Sequence, residues 1–68
     1  MKRGDLVRII NPPPDYGTSY TTWLENLSSS GTPVLLLFYN GKGSWCEIYH
    51  DGEAKIVAEK ILELVYES

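Results

Sequence analysis

Asp51-Gly52 constrains this chain more than any other pair of residues in it. Asp and Gly tolerate the positive φ angles of a two-residue hairpin turn, and here they stand between two short runs of strand-forming residues. The run before the turn, Ser44 to His50, alternates cleanly. Cys46 and Ile48 share one face, and Trp45, Glu47 and Tyr49 share the other. The run after it, Glu53 to Val57, is the returning strand. An isolated hairpin is marginal in water, so further strands must join it to bury an apolar face.

The rest of the chain supplies them. Gly4 to Ile10 (GDLVRII) reads as a first strand, stopped by Asn11-Pro12-Pro13-Pro14. An outward Arg8 puts Val7 and Ile9 inside. Pro33 to Asn40 (PVLLLFYN) is a second strand, apolar on both faces, and Asn40-Gly41-Lys42-Gly43 turns it into the third. Ala58-Glu59-Lys60 reads as one 3₁₀ turn, and Ile61 to Tyr66 as a fifth strand closing beside the first. The predicted core is Val7, Ile9, Leu36, Phe38, Cys46, Ile48, Ile56, Ile61 and Leu64. Leu35 and Leu37 are the alternative to Leu36 and Phe38, because a one-residue slip exchanges the faces. A competing reading makes Glu53 to Glu67 a helix with an apolar stripe of Ala54, Val57, Ala58, Ile61, Leu62 and Val65. The turn at Asp51-Gly52 favours strands.

Asn11 to Thr32 is a long connection with an extended, proline-stiffened start. Thr21 to Leu27 is either a short helix capped by Thr21 or Thr22, with Trp23 and Leu27 on one face, or a short strand. Ser28-Ser29-Ser30-Gly31 reads as a loop. Long loops in domains this small are often functional.

The 68 residues make a single domain, 1–68, and with 43% hydrophobic content they suffice for one small core. A net charge of −3 is the wrong sign for nucleic acid, and the cations Lys2, Arg3, Arg8, Lys42, Lys55 and Lys60 form no run. A single cysteine, Cys46, allows no internal disulfide and no thiolate zinc site. Met1-Lys2-Arg3 is followed by Gly4-Asp5 rather than an apolar stretch, and the longest apolar run, Val34 to Tyr39, is too short for a bilayer. The chain is therefore expected not to be secreted and not to enter a membrane. No catalytic set is visible: the sole histidine, His50, is expected to face away from Cys46, and the carboxylates are spread along strands. No enzymatic activity, cofactor or metal is expected. Pro13-Pro14-Asp15-Tyr16 matches the PPxY pattern that WW domains read, though prolines that stiffen a loop explain it equally well.

In its C-terminal half the chain resembles an SH3 domain. Gly43-Ser44-Trp45-Cys46-Glu47-Ile48, the Asp51-Gly52 turn, the strand Glu53 to Val57, Ala58-Glu59-Lys60 and Ile61-Leu62-Glu63-Leu64-Val65 follow that family's order over residues 33–66. The resemblance implies a five-stranded, all-β, SH3-like barrel whose long loop, 11–32, stands in place of the RT loop and has room for a short helix. Val57 and Lys60 stand where the family's proline-peptide groove uses Pro and Tyr, so that ligand does not carry over. The chain also resembles short barrel proteins of tailed phages, cyanophages included, in Gly4-Asp5-Leu6-Val7-Arg8-Ile9 and in Leu62-Glu63-Leu64-Val65.

The expected function is a non-catalytic protein-binding module. Its partner would be a virion component, or a host enzyme that it regulates, which places the chain in the virion or the host cytoplasm. A nucleic-acid-binding barrel is the third reading. The expected contact residues are Tyr16, Tyr20 and Trp23 from the long loop and Trp45, Glu47 and Tyr49 from the third strand. The two groups are expected to lie across from each other, either as a free interface or with Trp23 burying Trp45.

Overall fold

The computed structural model describes all 68 residues. The elements are β1 (Leu6–Ile9), α1 (Ser19–Ser30), β2 (Val34–Asn40), β3 (Trp45–His50), β4 (Glu53–Ala58), a 3₁₀ turn (Glu59–Ile61) and β5 (Leu62–Tyr66). The helix reading of the C-terminal third is not adopted. Asp51 and Gly52 take φ angles of 49° and 83°, and β4 returns along β3 with His50 opposite Glu53. The strands form one antiparallel sheet in the order β4-β3-β2-β1-β5.

The sheet does not close. β4 and β5 are its two edges, so the expected barrel is an open five-stranded sheet with a helix laid on it. The helix is also longer than the sequence reading allowed. Thr18, not Thr21 or Thr22, caps it, its hydroxyl accepting from the Thr21 amide at 3.1 Å. Asp15 fastens the proline segment to this first turn, accepting from the Gly17 amide at 2.8 Å and from the Thr21 and Thr22 hydroxyls at 3.2 Å. Ser28, Ser29 and Ser30 form the last turn rather than a loop. The Ser30 hydroxyl donates to the Leu27 carbonyl, a local bond that lets a serine finish a helix, and the helix stops at Gly31.

Leu24 and Leu27 point from α1 into one core with Val7, Ile9, Val34, Leu36, Cys46, Ile48, Val57, Ile61 and Leu62. Three residues expected inside are exposed: Phe38, Ile56 and Leu64. A bulge at Leu37 inserts one residue in β2, so Leu36 pairs with Ile48 but Phe38 pairs with Glu47 and turns outward. In β4 the expected core residue Ile56 pairs with Glu47 and faces out. Lys55 pairs with Ile48 on the inner face, and its ammonium reaches the rim over Trp23, 5.5 Å from the ring centroid. Val57 therefore takes the core position. Leu64 pairs with Val7, but on an edge strand that the helix does not cover, and Leu62 is the buried residue of β5.

Asp5 is a buried residue that the sequence reading placed only in a turn. Its carboxylate accepts from the Ser68 amide at 3.0 Å and the Lys2 amide at 2.9 Å, with the Lys2 ammonium at 3.5 Å. The Ser68 amide first, then the Lys2 groups, hold its carboxyl below the ordinary value of 3.8, against the opposing pull of burial. A depressed carboxyl stabilises the fold above its unfolded value, and that contribution is lost as pH falls through the folded one. Thermal melts are therefore expected to show stability falling on the acid side of about pH 4. Asp5→Asn should flatten that acid limb, and an unchanged limb would show that other carboxyls set it.

Candidate functional site on the outer sheet face

With Cys46 and Ile48 committed to the core, strand alternation sends Trp45, Glu47 and Tyr49 to the opposite face. Cross-strand pairing gives each an outer neighbour on both sides. Leu35 and Ala54 flank Tyr49, Phe38 and Ile56 flank Glu47, and Asn40 and Ala58 flank Trp45. The result is an apolar surface across β2, β3 and β4 with Glu47 at its centre. Phe38 and Ile56, its most exposed large side chains, are 48% and 50% exposed.

The indole of Trp45 is held in place. Its ring centroid lies 5.3 Å from that of Phe38, tilted by 35°. Its other neighbour is Gly43, where a Cβ atom would come within 2.5 Å of the indole. Glycine at 43 is what lets the ring lie flat along the β2–β3 turn. Glu47 is half-buried among these groups, and none of the molecule's three ion pairs, Lys2–Asp5, Arg8–Glu63 and Lys55–Glu53, involves it.

The long loop does not face this surface. Tyr16 is exposed in the segment before α1, and Trp23 packs against the core from the inner side of the sheet. Tyr20 reaches the edge of β4, its hydroxyl donating to the Ile56 carbonyl at 2.7 Å. Burial pushes its phenol pKa up. Of the six expected contact residues the fold thus brings together Trp45, Glu47 and Tyr49 and leaves Tyr16, Tyr20 and Trp23 elsewhere. The reason is the apolar stripe of α1. Leu24 and Leu27 are the residues the open sheet needs to cover its core, and Trp23 follows them. Phe38, Leu35 and Ile56 are the members of the surface that sequence reasoning assigned to the core or its margin. Their only signal was an excess of apolar residues in β2 and β4 over what one face can hold.

On the inner side, Trp23, Asn26, Leu27, His50, Asp51 and Glu53 line a shallow cleft of about 280 Å³ between α1 and the β3–β4 turn. His50 shares the inner face with Cys46, contrary to the expectation that they face apart. Four residues of strand, about 13 Å, nonetheless separate them, beyond hydrogen-bond reach. Burial pushes the Cys46 thiol pKa up, which keeps it protonated. No group of three or more metal-ligating side chains converges, and no helix is long and apolar enough to cross a membrane. Comparison with protein families, characterised proteins and solved structures finds no match to this chain.

Proposed function

We propose that this chain is a non-catalytic protein-binding module that docks through the outer face of β2, β3 and β4, on a partner segment that presents a basic residue amid apolar ones. The observation that carries this reading is the exposed set Leu35, Phe38, Tyr49 and Ile56 around Trp45 and the unpaired carboxylate of Glu47. Large side chains on a hydrogen-bonded sheet lose little entropy on docking. A central carboxylate ringed by aromatics suits an arginine or lysine, which gains both an ion pair and a ring face. The chain's net charge of −3 adds long-range attraction to a basic surface. The scaffold, an open five-stranded antiparallel sheet with one helix, does not by itself specify a function, so the reading rests on this face.

The test is capture by the immobilised chain, from host lysate and from purified virus particles, of a partner identified by mass spectrometry. Phe38→Ser with Ile56→Ser is expected to abolish capture while leaving the melting temperature within a few degrees, because both side chains are half exposed. Glu47→Lys is expected to weaken binding at least about tenfold by reversing the central charge. Capture that survives all three changes sinks the assignment of this face.

A further inference from the structure

The connection between β1 and α1 is not a slack loop. The chain bends at Asn11 and at Gly17 and runs from Pro12 to Tyr16 without a bend or turn. Covalent geometry dictates this path. Each proline ring fixes its own φ near about −65°, and a following proline confines the residue before it to extended ψ angles. Pro12 and Pro13 are each followed by proline, and every peptide bond is trans. They therefore adopt the polyproline II conformation, with about three residues per turn and no internal hydrogen bond.

Both ends of the segment are fastened. The Ile10 amide donates to the Ile61 carbonyl at 2.9 Å, and the Tyr16 amide donates to the Thr21 hydroxyl at 3.2 Å. The Asp15 carboxylate is turned back onto the first turn of α1 by its bonds to Gly17, Thr21 and Thr22. Pro12 and Pro13 are half-buried and seat the segment, whereas Pro14 is exposed. A segment stiffened only to bridge two elements would lay its tyrosine on the fold. Tyr16 is instead 74% exposed, more than any other large hydrophobic side chain. No amide of the fold donates to the carbonyls of Pro12, Pro13 or Pro14.

We infer that Pro13-Pro14-Asp15-Tyr16 is a second docking element, read by a protein domain whose aromatic-lined groove takes a polyproline II ligand followed by tyrosine. Proline rings stack on aromatic faces, and the open carbonyls accept from donors in such a groove. The conformation is already set, so little ordering entropy is lost on docking. The spacing chooses the kind of groove. One that reads two prolines three residues apart finds Asp15 three after Pro12, and Tyr16 three after Pro13. The pattern present is Pro-Pro-x-Tyr, the one that WW domains read. This inference does not rest on the outer-face reading and shares no residue with it.

The probe is a purified WW domain selective for Pro-Pro-x-Tyr peptides, titrated into the isotope-labelled full chain and followed by nuclear magnetic resonance. The amide signals of Asp15, Tyr16 and Gly17 are expected to shift, with a dissociation constant of about 100 µM or tighter for so small a contact. Tyr16→Ala and Pro14→Ala alter exposed side chains, circular dichroism checks that the fold is kept, and each should weaken binding at least about tenfold. Phe38→Ser on the outer face should leave the constant within about twofold. A free peptide of residues 10–18 serves as control. If the peptide binds and the folded chain does not, the fold masks the motif and the inference falls. Absence of any shift at millimolar probe overturns it too, as does binding that is indifferent to Tyr16→Ala or that moves the amides of β3 instead.

Discussion

Ile48→Ala is expected to remove a large share of the domain's stability. Ile48 is fully buried at the middle of β3, opposite Leu36 on one side and Lys55 on the other, in the single core that all five strands and α1 share. Removing its branched side chain costs about 2–5 kcal/mol, with the larger values where neighbours cannot close the cavity. Here they cannot close it easily. The flanking positions belong to paired strands, and the helix above is anchored through Leu24 and Leu27. The total stability of a domain this size is roughly 3–10 kcal/mol, so one such loss takes a large share of it. In thermal denaturation the midpoint should fall by at least about 10 °C. A shift of only a few degrees would mean that Ile48 is not at the centre of the core.

That Ile48 belongs inside was legible from the sequence, because Ser44 to His50 alternates without a break and the Asp51-Gly52 turn fixes its phase. The same logic correctly placed Cys46, Val7, Ile9 and Leu36. It failed where alternation carries no information. β2 is apolar at every position from Val34 to Tyr39, so nothing marks the extra residue at Leu37, and the bulge moves Phe38 to the outside. In β4, Ile56 and Val57 are adjacent and both apolar, so composition alone does not say which faces in, and the long stem of Lys55 lies inward with Val57. The closed barrel failed for a different reason. A closed sheet needs no lid, whereas here α1 lays Leu24 and Leu27 on the inner face of an open sheet. Of these two only Leu27 is legible in the sequence reading, because pairing it with Trp23 at i, i+4 passes over Leu24.

The same error decided the candidate site. Trp45, Glu47 and Tyr49 were legible as an outward set from the period of β3 alone. Their neighbours were not, because Phe38 and Ile56 had been assigned inward. Tyr16, Tyr20 and Trp23 were grouped with them on the idea that a long loop folds over the nearest aromatic strand. The loop instead follows the apolar stripe of its helix to the other side of the sheet.

The two tryptophans therefore part company, and that gives the most discriminating pair of substitutions. Trp23 packs against the core under the ammonium of Lys55 and lines the cleft beside the β3–β4 turn, so it helps to seat the helix. It is only half-buried, so Trp23→Ala should cost about 2 kcal/mol, less than a fully buried tryptophan, with partner capture retained in the molecules that remain folded. Trp45 rests on Phe38 and Gly43 on the outer face, with no helix above it. Losing that aromatic contact should cost about 1 kcal/mol of stability. Binding is another matter. A large ring fixed beside a central carboxylate is the kind of residue on which interfaces concentrate their energy, and truncating one costs about 2–4 kcal/mol, or about 30- to 1,000-fold in affinity. Trp45→Ala is thus expected to melt within several degrees of the parent chain while its dissociation constant for the captured partner rises by at least about 30-fold. Measuring midpoint and affinity for both variants separates the roles. If Trp23→Ala destroys binding while Trp45→Ala leaves it intact, the partner sits on the helix side of the sheet, and the cleft at His50, Asp51 and Glu53 becomes the site.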